Sequence, residues 1–161
     1  MNQNQILLTE TNFSKLKDKI KKEKAEADNK IIIYSSEDDE LNRKVAEKLP
    51  IDILLLNLSA RKDFQKQRNS GFNQVLAKAM KEKNIQLGIN LDEIIEETNM
   101  KKKSEILARL KQNIFLCNKN KVKMKFIIQK EKNNRNIYDL KSLGLVLGMP
   151  TWMTSSFSKE F

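Results

Sequence analysis

The chain has 161 residues, with 31 lysines and arginines against 21 aspartates and glutamates, a net charge of +10, no histidine and one cysteine. The absence of histidine excludes Ser–His and Cys–His nucleophile systems and histidine-based zinc sites, and a lone Cys117 excludes an internal disulfide. The positive field favours a polyanionic partner, nucleic acid before an anionic membrane; the apolar runs are too short to span a bilayer, residues 1–10 lack a secretory pattern, and one soluble intracellular domain over 1–161 is expected.

Residues 5–9 (QILLT) open the chain as a strand. Residues 12–26 place Phe13, Leu16 and Ile20 at helical spacing, with lysines on the opposite face. Residues 30–35 (KIIIYS) are branched and aromatic, a strand composition. Residues 39–49 return to helical spacing through Leu41, Val45 and Leu49, and Pro50 ends that helix. Residues 52–58 (DILLLNL) read as a parallel strand covered on both faces. A polar, basic loop spans 59–69, after which Ser70 is expected to cap a helix over 71–83 with Phe72, Val75, Leu76, Ala79 and Met80 inward.

Residues 85–90 (IQLGIN) are a strand and 91–97 a short helical turn. A polar stretch at 98–103 leads to a long helix opening at Ser104 and ending near Asn118, with Ile106, Leu107, Leu110, Ile114 and Cys117 inward. Residues 122–129 (VKMKFIIQ) are the fifth strand, followed by a Lys/Asn-rich loop over 130–136. Asn136 and Asp139 are spaced as a capping pair for a helix over 138–147, which Gly148 and Pro150 close. The tail, 150–161, has no clear period. This alternation predicts a parallel α/β fold with right-handed crossovers. Five units fall short of an eight-unit barrel, leaving a partial barrel or a compact open sheet.

Four segments carry a more specific pattern: ELNRKVAEKLPIDILLLN (40–57), RNSGFNQVLAKAMKEKNIQLGINL (68–91), RLKQNIFLCNKNKVKMKFII (109–128) and YDLKSLGLVLGM (138–149). In order and spacing they resemble the TIM-barrel-like, thirty-kilodalton subunit of archaeal and eukaryotic ribonuclease P. The resemblance implies a TIM-barrel-like (PHP-like) fold, here an incomplete barrel of about five βα units. It also implies a non-catalytic role beside an RNA that carries the catalytic Mg²⁺. The implied partners are the ribonuclease P RNA, a small sister protein subunit with other protein subunits, and, indirectly, precursor tRNA. The implied location is the cytoplasm in an archaeon or the nucleus and nucleolus in a eukaryote. The pattern departs from the family at Gln74, where histidine is common, and at Ser35 and Ser36, near which glycines are common. Additional barrel strands commonly precede 30–35 in the family, so 1–29 is expected to be a shortened N-terminal region whose missing walls partners supply.

Four clusters are candidate sites. Glu37–Glu40 (EDDE) follows a strand, where carboxylates could bind Mg²⁺, although acidic residues at a helix N-terminus are explained more simply by its dipole. Arg61, Lys62, Lys66 and Arg68, with Ser70 and Gly71 at the expected helix start, form the first basic cluster; helix N–H groups would add to its attraction for phosphate. Lys101, Lys102 and Lys103 with Arg109 form the second, and an ordinary charged loop explains the three lysines nearly as well. Lys121, Lys123 and Lys125, with Lys119, form the third, either a phosphate track along one side of a strand or cations protecting a sheet edge. Phe64, Phe115, Phe126, Trp152 and Phe157 are not spaced as a stacking platform; Trp152 and Phe157 in the tail are expected to dock on a partner. No catalytic residue and no metal ligand are assigned. The rival functions are a stand-alone metal-dependent phosphoesterase built on Asp38 and Asp39, and a general basic RNA-binding protein.

Overall fold

The computed structural model describes residues 4–27 and 29–158. Residues 1–3 and 28 of the expected N-terminal region, and 159–161 of the expected tail, lie outside the described residues. The five branched runs become five strands: β1 (Gln5–Leu8), β2 (Ile31–Tyr34), β3 (Ile53–Leu56), β4 (Gln86–Asn90) and β5 (Met124–Ile127). Between them lie α1 (Phe13–Glu26), α2 (Asp39–Lys48), α3 (Gln74–Glu82), then α4 (Leu91–Glu96) with α5 (Met100–Asn120); α6 (Ile137–Leu147) and α7 (Thr151–Thr154) follow β5.

The strands neighbour one another in chain order and every ladder is parallel. Successive right-handed crossovers between adjacent strands put the connecting helices on one face, as in consecutive units of a TIM barrel. Among the described residues no ladder joins β1 to β5, so the barrel is open. The alternation predicts the parallel α/β order, and of the two arrangements it leaves open the five-stranded sheet is consistent with the incomplete barrel that the resemblance implies.

Alternating side chains divide the sheet into two faces. Ile32, Tyr34, Leu54, Leu56, Leu87, Ile89 and Met124 pack against the helical stripes of Leu16 and Ile20, Val45 and Ala46, Leu76 and Met80, and Ile106, Leu110 and Ile114. The concave face holds Ile33, Ile53, Leu55 and Ile127, with Leu7 and Ile31 at its margin. These four are at most 2% exposed. The curved sheet therefore removes this part of its interior from solvent with five strands alone.

Three helix boundaries differ from expectation, each because a stronger local partner wins. α3 begins at Gln74, capped by Asn73, whose side chain accepts from the Leu76 N–H at 2.9 Å. Ser70 instead exchanges bonds with the Phe72 backbone, and Gly71 takes a left-handed φ of 70°, so the chain turns there before the helix starts. Val75 consequently faces solvent and Ala77 is buried. α5 begins at Met100 because Asn99 caps it, accepting from the Lys102 N–H, and continues to Asn120, where Lys121 closes it at φ 57°. Lys101–Lys103 are therefore the first turn of a helix and not a loop. β5 correspondingly starts at Met124, and only Lys125 of the third basic cluster lies on a strand. The expected row of strand cations does not form.

The tail is ordered through Ser158 as α7 and a 3-10 turn. Phe157 meets Phe126 edge-on with ring centres 5.6 Å apart. The Trp152 indole N–H donates to Asn118 at 3.1 Å, and the Lys121 ammonium stands 5.3 Å above its ring. Both aromatics dock on their own chain rather than waiting for a partner. Asn136 caps α6 as its spacing predicts, accepting from the Tyr138 and Asp139 N–H groups, and Gly148 ends the helix in a left-handed conformation.

Gly88 keeps the concave face closed: a Cβ there would lie 3.0 Å from Ile53 Cγ2 and from Leu55 Cδ1, and 3.2 Å from Ile127 Cγ1. Gly88→Val is expected to destabilise the chain by about 1–3 kcal/mol through overpacking, read as a lower urea midpoint at unchanged slope. A midpoint equal to wild type would mean that the interior has room to spare.

Candidate nucleic-acid interface

In parallel α/β sheets functional groups collect where the strands end. The exit of β3 is the most heavily fastened point at that end. The Leu58 N–H donates to Glu93 at 2.9 Å, and Ser59 donates to the same carboxylate from both its backbone and its hydroxyl. Asn90 donates to the Asn57 side chain at 3.0 Å. Two arginines then hold the loop between β3 and α3.

Arg61 is 10% exposed at its side chain. It grips Asp39 with two N–H groups at 3.0 and 2.7 Å, donates to the Asn57 carbonyl at 3.0 Å, and reaches Asn69 at 3.4 Å. Arg109, on α5, is 2% exposed. Its Nε donates to Asp63 at 2.8 Å and its Nη1 to the Leu58 carbonyl at 2.9 Å, with Glu105 3.9 Å away. Asp63 also accepts from the Asn69 N–H at 2.9 Å and from Arg68 at 3.2 Å. The Arg109 guanidinium beside it holds the Asp63 carboxyl below the usual carboxylate range.

The sequence-predicted residues thus separate by role. Arg61 and Arg109 point into the chain and tie down the loop. Ser70 and Gly71 form the turn beneath Arg61; a Cβ at Gly71 would collide with that guanidinium. Lys62, Lys66 and Arg68 are exposed on the loop, and Lys101 and Lys102 are exposed with Lys103 half-buried on the first turn of α5. Since Arg109 fastens α5 to the exit of β3, the part of α5 before it projects past the end of the sheet. Lys102 precedes Arg109 by two turns on the same stripe, roughly 10 Å farther along the helix. The loop and helix cations therefore share one end of the molecule.

Lys121 and Lys123 precede β5 and stand at the opposite end. Lys125 is half-buried on the concave side, where burial lowers its pKa. Sequence reasoning passed over the exposed lysines of α1, Lys15, Lys17, Lys21 and Lys22, which it had read as a polar helix face. It also passed over Asp63, whose signal was its position inside a cation run.

Four acidic groups at this end, Asp38, Asp39, Asp92 and Glu96, already serve the chain. Asp38 caps α2, accepting from Glu40 and Leu41, and Asp39 is held by Arg61. This is the dipole-and-cap role for EDDE. Asp92 is buried and accepts from the Gln129 and Lys130 N–H groups and from Asn133 at 2.7 Å. Glu96 contacts Lys130, Lys132 and Asn133, and these bonds, Lys130 first, hold its pKa down to about 2. Among the described residues no group of three carboxylate or thiol side chains converges to hold a metal ion. Burial pushes the Cys117 thiol up, so it is a packed core group and not a thiolate.

A sequence profile of the family described as RNase P subunit p30 matches residues 4–159. The chain belongs to the RNase P subunit p30 family. Among solved structures, a chain in the "cryo-EM structure of archaeal Ribonuclease P with mature tRNA" shares the fold with a TM-score of 0.75 at 19% identity, over 96% of this chain and 64% of that one. This p30-family chain thus spans 64% of the length of that relative. No curated protein matches it significantly. The Arg-x-Ser-Gly segment of the resemblance is explained locally by the turn beneath Arg61. Gln74, where the family commonly carries histidine, exchanges amide bonds with Asn120 at 2.6 and 3.2 Å and so links α3 to α5.

Asp63→Asn is expected to cost about 3 kcal/mol at neutral pH, because the buried Arg109 charge loses its carboxylate. The folded pKa of Asp63 is lowered, so its contribution is complete above the unfolded value of about 3.9 and fades as pH falls through the folded value. Urea midpoints of wild type and variant should therefore converge in acid. A gap independent of pH would show that the pair is not what holds the loop.

Proposed function

We propose that this chain is a protein component of the ribonuclease P ribonucleoprotein. Its part is to neutralise and position the catalytic RNA that removes the 5′ leader of precursor tRNA. In this role the chain performs no bond cleavage; Mg²⁺ belongs to the RNA, and the small sister protein subunit and other protein subunits complete the particle. Contact with precursor tRNA is indirect. The compartment follows the host: cytoplasm in an archaeon, nucleus and nucleolus in a eukaryote.

One observation carries this proposal. At the end of the sheet the loop and the α5 start present the cations Lys62, Lys66, Arg68, Lys101 and Lys102, with Lys103 half-buried, while Asp39, Asp63 and Glu96 nearby are engaged by N–H groups and cations of the chain. Such a surface can accept a phosphate backbone but offers no unoccupied acid–base pair. Family membership supports the same role. Asp38 and Asp39, on which a stand-alone phosphoesterase would depend, are a helix cap and an arginine partner.

RNA that co-purifies with the full chain should, on sequencing, be one structured species; random cellular RNA would favour the general RNA-binding alternative. If these six cations each meet a phosphate, affinity for that RNA should drop about a thousandfold between roughly 50 and 200 mM salt. Changing Lys66 or Arg68 to Ala should reduce the slope of log K against log salt by about one each. Binding that ignores salt would exclude a phosphate-led interface.

A further inference from the structure

Phe64 lies at the centre of the basic loop, between Lys62 and Lys66, and is 66% exposed. A single exposed ring is ordinary by itself; what sets Phe64 apart is its place on an ordered turn inside a run of cations. The tip is not slack. The Phe64 N–H donates to the Gln67 carbonyl at 2.8 Å and the Gln67 N–H returns to the Phe64 carbonyl at 3.4 Å. Asp63 closes the loop below this turn through Asn69, and Arg109 fixes Asp63 from inside the fold. The ring is therefore carried on a pre-ordered turn anchored to a buried guanidinium. Three other aromatics have cations over their rings, Lys44 over Phe13, Lys121 over Trp152 and Lys141 over Tyr138, whereas Phe115, 68% exposed on α5, has none and lies outside the basic loop. Among the described residues the ring of Phe64 has no such partner.

We propose that Phe64 is a stacking site for one unpaired RNA base, flanked by Lys62, Lys66 and Arg68, which hold the neighbouring phosphates. Each base presents a flat π face to such a ring, and stacking adds affinity without requiring a particular sequence. Cations on both sides in the sequence set the chemistry of the occupant. An apolar protein patch would have to desolvate three charges, whereas a polyanionic single strand neutralises them. A helical duplex keeps its bases stacked on one another and cannot lend one to the ring. The site consequently prefers single-stranded segments, loops or bulges over duplex. This inference rests on the RNA-facing role proposed above and adds to it the kind of RNA element that meets the loop.

The test uses the full chain with two probes, a short single-stranded oligoadenylate and the matching adenylate–uridylate duplex, titrated over a range of salt. Phe64→Ala should weaken single-strand binding roughly five- to a hundredfold, leave duplex binding unchanged and leave the salt slope intact, because no charge is lost. Phe64→Trp should restore single-strand affinity. The melting temperature of Phe64→Ala should match wild type, since the ring is solvated in the folded state. Equal affinity of wild type and Phe64→Ala for the single strand overturns the stacking site alone, and equal losses on both probes do the same. If Phe64→Ala leaves RNA affinity untouched but blocks association with another protein, the ring is a protein anchor and the proposal fails. A wild-type chain that binds neither probe at any salt overturns both this site and the RNA-facing role.

Discussion

The functional end of this molecule depends on one buried guanidinium. Arg109 is removed from water by its place on the inward stripe of α5, and an unpaired charge there would cost several kcal/mol. The fold answers with a carboxylate from a loop forty-six residues earlier in the chain, Asp63, and a carbonyl from the exit of β3, Leu58. Neither partner can leave without exposing the other's loss. The loop is thereby anchored to the helix, though its own residues bury little apolar area. Arg61 repeats the arrangement on the other side, joining the start of α2 to both ends of the same loop. Two interior arginines hold a surface loop in place so that its remaining cations can face outward.

A second constraint follows from the charge balance. A chain with ten more cations than anions cannot neutralise itself, so where its 21 carboxylate side chains go decides where the excess appears. At the sheet end five of them are engaged by the chain itself: Asp38 as a helix cap, Asp92 and Glu93 by backbone amides, and Asp39 and Asp63 by the arginine staples. Each bond also fixes a strand exit or a helix start. Stabilising the scaffold and baring the positive surface are the same act, so the cationic face needs no dedicated element of its own.

All five strands were legible because their branched, aromatic runs have no competing pattern, and strict alternation with helices left only parallel order. Helix starts were harder to place. Ser70 and Ser104 are good caps on composition, but Asn73 and Asn99 are equally good, and only the neighbouring turn at Gly71 and the packing of α5 decide between them. Arg109 was grouped with Lys101–Lys103 as a binding cation because charge outweighs periodicity in a single sequence. Yet it falls three residues after Ile106 and four before Asn113, on the stripe that buries Ile106, Leu110 and Cys117. Lys121, Lys123 and Lys125 alternate as a strand would, but the helix before them runs two residues longer than its apolar pattern and takes Lys121 as its left-handed terminus. The pairing of Arg109 with Asp63 was not legible at all, since nothing local links residues that far apart.

The open barrel gives these details their meaning. A closed barrel fills its centre with layers of side chains from all around; here Gly88 leaves the room that Ile53, Leu55 and Ile127 occupy, and with Ile33 these side chains are buried on the concave face. With the interior out of solvent, the edges of the sheet need not be completed for the β3 exit to be held in register. The geometry of the cationic end is set by contacts among β3, β4, α2, α4 and α5, none of which crosses the open side. The end that carries the positive charge is therefore held by contacts that do not involve β1 or β5.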